Sequence, residues 1–297
     1  MLTHECKGNA SYKHLSIKQE NIDLYYKNKP RIFATVPLLL LLLHFAALSA
    51  ETADSVMLHI VYNTTYATYD NGRKTHDVMA LDVGRTMSHF YSEAQRLRDE
   101  QMKKINESNL PLEVAINNAK NVGGGGLQWH VCKRPSGGDS IMFYDTFGLD
   151  GVKYTEADKR LQWNIEDGDT TICGYSCGKA WTNIGGRRWT VWFTADIPVS
   201  DGPWKLRGLP GLILKAVESD GIYSFCCTSI TSGNGMLVEM PSGNYTDCTY
   251  DEYKTLYYKY NDDPIQFLVT RTGNSLPIPG SKRKSAIISI DEKPFTH

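Results

Sequence analysis

The sequence predicts a mainly β protein of the α+β class. It should form an antiparallel sheet, bent into a half-barrel or doubled as a sandwich, with one or two helices in the N-terminal half of the mature chain. Three observations carry this. Beyond about residue 140, β-branched and aromatic runs follow one another, each bounded by Gly, Pro, Asp or Asn. Near the start, "VMLHIVYNTTYAT" runs from Val56 to Thr68 into the turn signal "YDNGR" and then "THDVMALDVG", the pattern of strand, turn, strand. Helical spacing is sustained best from Thr86 to Ser108, where Phe90, Ala94, Leu97 and Met102 recur among interspersed opposite charges.

The elements follow in order. Residues 1–49 read as a secretory signal. Lys27, Lys29 and Arg31 precede an apolar run with six consecutive leucines, and Ala47 and Ser49 satisfy the small-x-small rule for cleavage after Ser49. The polar stretch ahead of the charged flank is long for such a signal. Pro37, His44 and the small residues at the end of the run argue against an uncleaved anchor, so no transmembrane span is expected after cleavage. Residues 50–275 are expected to form a single domain, large enough to bury a core without metals. After the helix from Thr86, a second begins beyond Pro111 with "LEVAINNAKN" and ends at the glycine run Gly123–Gly126. The remaining strands are "SIMFYDTFG", "KRLQWNI", "TICGYSCGKAWTNI", "RRWTVWFTADIPV", "GLILKAV", "IYSFCCTSIT" and "GMLVEMP". "TYDEYKTLYYKY" from Thr249 has the spacing of a short helix, and the polar 276–297 should be a flexible tail.

Charge and cysteines narrow the function classes. Six of the 32 Lys/Arg and three of the 33 Asp/Glu lie in residues 1–49, leaving the mature chain a formal balance of −4. That argues against a nucleic-acid partner. Six of the seven cysteines remain, Cys132, Cys173, Cys177, Cys226, Cys227 and Cys248. An even count in an exported chain points to disulfides whose pairing the sequence leaves open, although Cys177 is expected to be bonded. Cys226 and Cys227 are adjacent, so in a strand they face opposite ways and cannot share one partner. The Cys-x3-Cys at 173–177 lacks a companion pair at metal-ligand spacing.

The stretch "GLPGLILKAV" is read as architecture. Pro210 presets φ, Gly211 can take the positive φ of a type II turn, and Leu212, Leu214 and Ala216 then share one face of a strand. No Ser, Thr, Cys, His, Asp or Glu occurs between Lys205 and Val217, and no helix follows the glycines to present a dipole to phosphate. Trp181, Arg187, Arg188, Trp189, Trp192, Trp204, Lys205 and Arg207 crowd into 27 residues. Alternation puts Arg187 and Trp189 on one face and Arg188 and Trp192 on the other. Such a cluster suits either a recognition surface, through stacking and fixed donors, or a β core with a charged rim.

"WTVWFTADIPVSDGPWKLRGLPGLILKAV", preceded by "ICGYSCGKAW", resembles the GLPGLI family, exported proteins of Bacteroidetes-type bacteria. The matching positions include Gly174, Tyr175, Cys177, Lys179, Ala180, Gly186, Arg187, Gly202, Pro203, Trp204 and Gly208, Leu209, Pro210, Gly211, Leu212, Ile213. The resemblance is strongest over residues 160–230. It implies export to the periplasm, outer membrane or medium and a mostly antiparallel β fold. It supplies no catalytic residue, cofactor or activity.

Other motifs have ordinary explanations. "GGDSI" at 137–141 follows a Pro-Ser-Gly loop and lacks the Asp-x-x-His of esterases bearing Gly-Asp-Ser. "EDGDT" lacks the closing Glu of a calcium loop and needs only a turn. His59, expected in a strand, and His89, expected to begin a helix, have no metal spacing, nor have His76 and His130. The sequence therefore points to an exported binding module without cofactor, with an apolar molecule, a glycan or an envelope protein as partner. The alternative is an extracytoplasmic hydrolase or thiol enzyme.

Overall fold

A computed structural model describes residues 54–68, 73–108, 110–122, 126–134, 140–148, 150–157, 159–272 and 288–291. All lie in the compact unit that runs from Ala53 to the C-terminus. The signal-like segment 1–49, the glycines 123–125 and the Gly-Asp of "GGDSI" lie outside the described residues.

The strands are β1 (Leu58–Ala67), β2 (Lys74–Val83), β3 (Ser88–Ser92), β4 (His130–Lys133), β5 (Ser140–Phe147), β6 (Asp150–Ala157), β7 (Asn164–Ile172), β8 (Tyr175–Ile184), β9 (Arg187–Thr194), β10 (Leu212–Glu218), β11 (Tyr223–Ser232) and β12 (Tyr245–Asp247). They join one open sheet in the order β12-β6-β5-β4-β3-β2-β1-β11-β10-β9-β8-β7. Every pairing is antiparallel except β12 with β6, which makes the sheet mixed. The helices are α1 (Glu93–Glu107) and α2 (Leu112–Asn121), between β3 and β4, and α3 (Tyr250–Asp262) and α4 (Pro264–Thr272), after β12. Among the described residues no helix is long and apolar enough to cross a membrane.

Several expectations need correction. Thr86 does not open the first helix: Ser88–Ser92 form β3, so His89 lies in a strand, and α1 starts only after Ser92, whose hydroxyl caps Gln95 N. Tertiary burial decides this, because Phe90 is wholly buried among core rings. The span 171–184 is not one strand. Cys173 and Gly174, at φ 50 and 84, turn the chain between β7 and β8. "EDGDT" runs within β7, where the register shifts between Glu166 and Thr170, and "KRLQWNI" contributes only its last two residues. "GMLVEMP" forms no strand, only a bridge between Leu237 and Ser55. Near the C-terminus α3 falls where the spacing from Thr249 places a helix, and α4 follows it where none is expected, so helices are not confined to the N-terminal half.

One face of the sheet is the core. Along β9, Arg187, Trp189, Val191 and Phe193 are buried, and on β11 Tyr223, Phe225 and Cys227. Aromatic rings meet in a chain across it: Trp204–Trp189–Phe225–Phe90–Trp129–Phe143–Tyr154. Phe90 on β3 and Phe225 on β11 have ring centroids 5.7 Å apart. Three strand spacings in a flat sheet would put their backbones about 14 Å apart. The sheet therefore curls around this face, and the rings fill the trough. α1 packs against β2 and β3, and α3 against β5 and β6. Tyr253 of α3 enters the trough, with its ring on Phe143 and Phe147 and its hydroxyl donating to Asp145 at 3.0 Å.

Candidate functional site

Two segments that are not strands close the trough. The first is the connection from Thr194 to Leu212. Pro198 and Pro203 limit the conformations of this loop, and Trp204, Leu206 and Leu209 drop into the core with essentially no exposure. Trp204 stacks near Trp189 at 5.3 Å. Asp201, also buried, pairs with Lys133 Nζ at 2.5 Å and accepts from Ser88 Oγ at 2.5 Å. Lys133 Nζ also donates to the Gly202 carbonyl. The last turn differs from the type II form. Gly211 N donates to Leu209 O at 2.8 Å, and Leu212 N turns instead to Ile197 O. Gly208, at φ 96, occupies the left-handed region. Gly211 is required for a different reason, because a side chain there would run into the Thr194 carbonyl.

The second closure is Ile288–Asp291. The sequence leads one to expect a tail free of the fold, but these four residues lie inside it, with Ile288, Ile290 and Asp291 buried. Two apolar side chains two apart enter the trough, and the main chain is held from both sides. Ile288 N donates to Ala67 O at the end of β1, Tyr223 OH to Ile288 O at 2.7 Å, and Arg187 Nη2 to Ser289 O at 3.1 Å. The Asp291 carboxylate pairs with Lys205 Nζ at 2.8 Å and accepts from Tyr154 OH at 3.3 Å.

Lys205 sits at the centre of this end. Trp204, at φ 52, turns the backbone here, and the Lys205 ammonium lies 5.6 Å from the centre of the Trp204 ring. Lys205 Nζ reaches Glu156 at 2.7 Å and Tyr154 OH at 2.9 Å besides Asp291. Burial alone would lower its pKa, yet the carboxylates of Asp291 and Glu156 raise it above the ordinary lysine value. It is a fixed cation. Arg187 Nη1 lies 3.5 Å from Glu218, both side chains buried. Asp145 is the opposite case. Burial pushes its carboxyl up to about 7, against the hydrogen bonds from Thr146 N and Tyr253 OH, with Asp291 adding to the rise.

A cavity of about 320 Å3 lies on one side of the tail segment, lined by Asp145, Trp129, Tyr223, Tyr257, Ser289 and Ile290 among others. A second, of about 850 Å3, is lined by Glu156, Arg160, Trp181, Lys205, Tyr250 and Asp291 among others. No histidine or cysteine lines either cavity. Among the described residues no group of three or more His, Cys, Asp or Glu is placed to hold a metal ion.

The eight Trp, Arg and Lys residues singled out from sequence do not form one surface. Arg187, Trp189, Trp204 and Lys205 are buried. Trp181, at the rim, carries the Arg188 guanidinium 4.0 Å over its ring, and Trp192 carries Lys215 at 4.7 Å. Arg207 donates to Arg134 O, and its own carbonyl accepts from Trp163 Nε1. Asp145, Tyr154, Glu156, Tyr223 and Asp291 were missed. For Asp145 a signal existed, since it takes an inward position in the alternating "SIMFYDTF".

All six described cysteines are free thiols, so the expected disulfide framework is not present in this structure. Cys173 and Cys227 bring their sulfurs to 3.5 Å, while Cys177 Sγ instead contacts Tyr175 O. Burial raises the thiol pKa of Cys132, Cys177 and Cys227, the opposite of what a nucleophilic thiolate needs. His59 bonds Asp82 at 2.6 Å, and Asp82 also accepts from Tyr91. His89 and His130 meet at 3.0 Å, and burial holds His130 down to about 4, so both rings are neutral near pH 7.

Residues 186–215 match the family model described as "Protein of unknown function (Porph_ging)". This span holds β9, the Thr194–Leu212 closure and the start of β10. No curated protein matches the chain. Two solved structures of PNGF-II, in space groups P21 and C2, are similar at 16% identity with TM-scores of 0.45 and 0.44. Each comparison covers 70% of this chain and 34% of that one, so this chain spans about a third of the length of PNGF-II.

Proposed function

We propose that this chain is an exported cell-envelope protein that binds a ligand without transforming it, and that the end of the trough around Lys205 is where it binds. The observation that carries this is the pair of cavities beside Ile288–Asp291, one lined by the buried Lys205 cation and the other by the Tyr223 hydroxyl and the Asp145 carboxyl, with no histidine or cysteine in either. A site for acyl transfer or hydrolysis needs a nucleophile and a base within hydrogen-bond reach. A binding site needs apolar walls with convergent polar groups, and these cavities set rings such as Trp129, Trp181 and Tyr223 beside Asp145, Glu156 and Lys205. The signal-like segment and the resemblance to an exported family support the location. The partner classes expected from the sequence, an envelope protein, a glycan or an apolar molecule, all remain open to this site, and the acidic balance argues against nucleic acid.

The test is native mass spectrometry of the protein purified from its own envelope, beside Lys205→Met. A non-covalent adduct that leaves on denaturation and is absent from the variant is the expected result. Turnover of ester, peptide or glycoside substrates by the purified protein would overturn the reading.

A further inference from the structure

We infer that the groove filled by Ile288–Asp291 is a peptide-binding site. Its ligand is an extended segment of another protein with the pattern apolar-x-apolar-acidic, and the chain's own tail is a tethered stand-in for it. The inference rests on the binding reading above and names the ligand class.

The groove presents what a main chain needs, in the order a main chain offers it. The Ala67 carbonyl accepts from one backbone N–H. Tyr223 OH and Arg187 Nη2 then donate to two successive backbone carbonyls. An acyl chain offers none of these groups, and a glycan offers hydroxyls in no fixed alternation. Recognition through main-chain groups tolerates many sequences, and selectivity then comes from pockets for alternate side chains. Here those pockets hold Ile288 and Ile290, and Lys205 with Tyr154 OH reads the carboxylate that follows.

The cation is a property of the groove and does not depend on the tail. Lys205 keeps Glu156 and Tyr154 OH when the tail leaves, and Arg187 keeps Glu218. Both charges thus retain partners with the groove open, which leaves the exposure of Ile288 and Ile290 as the cost of emptying it. Cavities of about 320 and 850 Å3 adjoin the segment, so four residues do not fill the space, and a longer or bulkier ligand fits. A tethered occupant acts at an effective concentration in the millimolar range, so an external ligand has to compete with it.

The test uses a labelled peptide with the sequence of residues 286–291, Ala-Ile-Ile-Ser-Ile-Asp, and the full chain carrying Ile288→Asp and Ile290→Asp. These charges expel the tail. Fluorescence anisotropy should show the peptide binding the double variant at least ~10-fold more tightly than the wild type, where the tail competes. Adding Lys205→Met, or replacing the peptide's aspartate with asparagine, should each weaken binding by at least ~10-fold, the loss of a buried charge-assisted contact. A folded double variant that binds no peptide, or binds it regardless of Lys205 and the aspartate, overturns the proposal.

Should the double variant fail to fold, hydrogen exchange on the wild type decides. Peptide should speed exchange at residues 288–291 and leave β9 and β11 unchanged. Tail exchange that keeps pace with the sheet and ignores peptide overturns the proposal. So does a concentration-dependent dimer with exchanged tails, which would make a second copy the occupant. A co-purifying adduct that depends on Lys205, with no peptide binding, would remove the peptide and keep the binding module. Loss of both would remove both.

Discussion

The two closures of the trough do the same mechanical job by different means. The Thr194–Leu212 segment is continuous with β9 and β10, carries the wholly buried side chains Trp204 and Leu206, and seats Asp201 on Lys133. Beside it, joined to its Lys205 through Asp291, four residues arrive from far along the chain, and cavities remain next to them. The first closure cannot open without breaking strands and exposing a buried ion pair. The second can leave while the sheet keeps its pairing. Architecture and recognition thus meet in one trough, and the family-like stretch serves both, seating Asp201 on Lys133 and presenting Lys205 and Arg187 to the tail segment.

Breaking the first closure should have the largest effects. Asp201→Ala leaves the Lys133 ammonium buried opposite a deleted carboxylate and should cost about 3–5 kcal/mol, read as a fall in the urea midpoint. A loss below about 1 kcal/mol would mean that water reaches Lys133 and that this end is not sealed. Gly211→Val forces a side chain against the Thr194 carbonyl and should cost about 3 kcal/mol, again by denaturant titration.

Asp145 sharpens the comparison through pH. Its folded-state pKa of about 7 lies above the unfolded value, so ionisation opposes folding. The penalty is absent below about pH 4, grows as pH rises towards 7 and is constant above that. Asp145→Asn should therefore be more stable than the parent at pH 8, by a few kcal/mol at most, with the difference vanishing near pH 4. His89 and His130 act in the opposite sense, because their depressed values lose stability as pH falls from about 6.5 towards 4. Subtracting the parent curve at each pH isolates Asp145, and a pH-independent difference would show that its carboxyl is solvated.

At the second closure, Ile290→Ala should cost about 1–2 kcal/mol, less than a typical core truncation, because the loss is capped by undocking of the segment. The amides of 288–291 should then exchange faster with the sheet unaffected. Smallest of all, Arg188→Ala removes a rim guanidinium from Trp181 and should change stability by less than about 0.5 kcal/mol.

The strands of the family-like stretch were legible because their residues alternate. Arg187, Trp189, Val191 and Phe193 face in while Arg188 and Trp192 face out, and local spacing alone is enough to show it. The short β3, β4 and β12 were not, because five, four and three residues carry too little period to separate from helix or loop. Asp145 stood as a polar residue in an inward position, whereas nothing near Asp291 announces that it meets Lys205, 86 positions earlier.

The sequence by itself determined the strands β1, β2, β5, β9, β10 and β11, the acidic balance and a bend at Pro210–Gly211, all set by neighbours within a few residues. Only the tertiary structure decided the curl of the sheet, the division of the Trp and Arg cluster between core and rim, and the docking of Ile288–Asp291. Those depend on contacts between distant segments, and the free energy of such contacts is set by what each side chain finds across the trough, which no local pattern encodes.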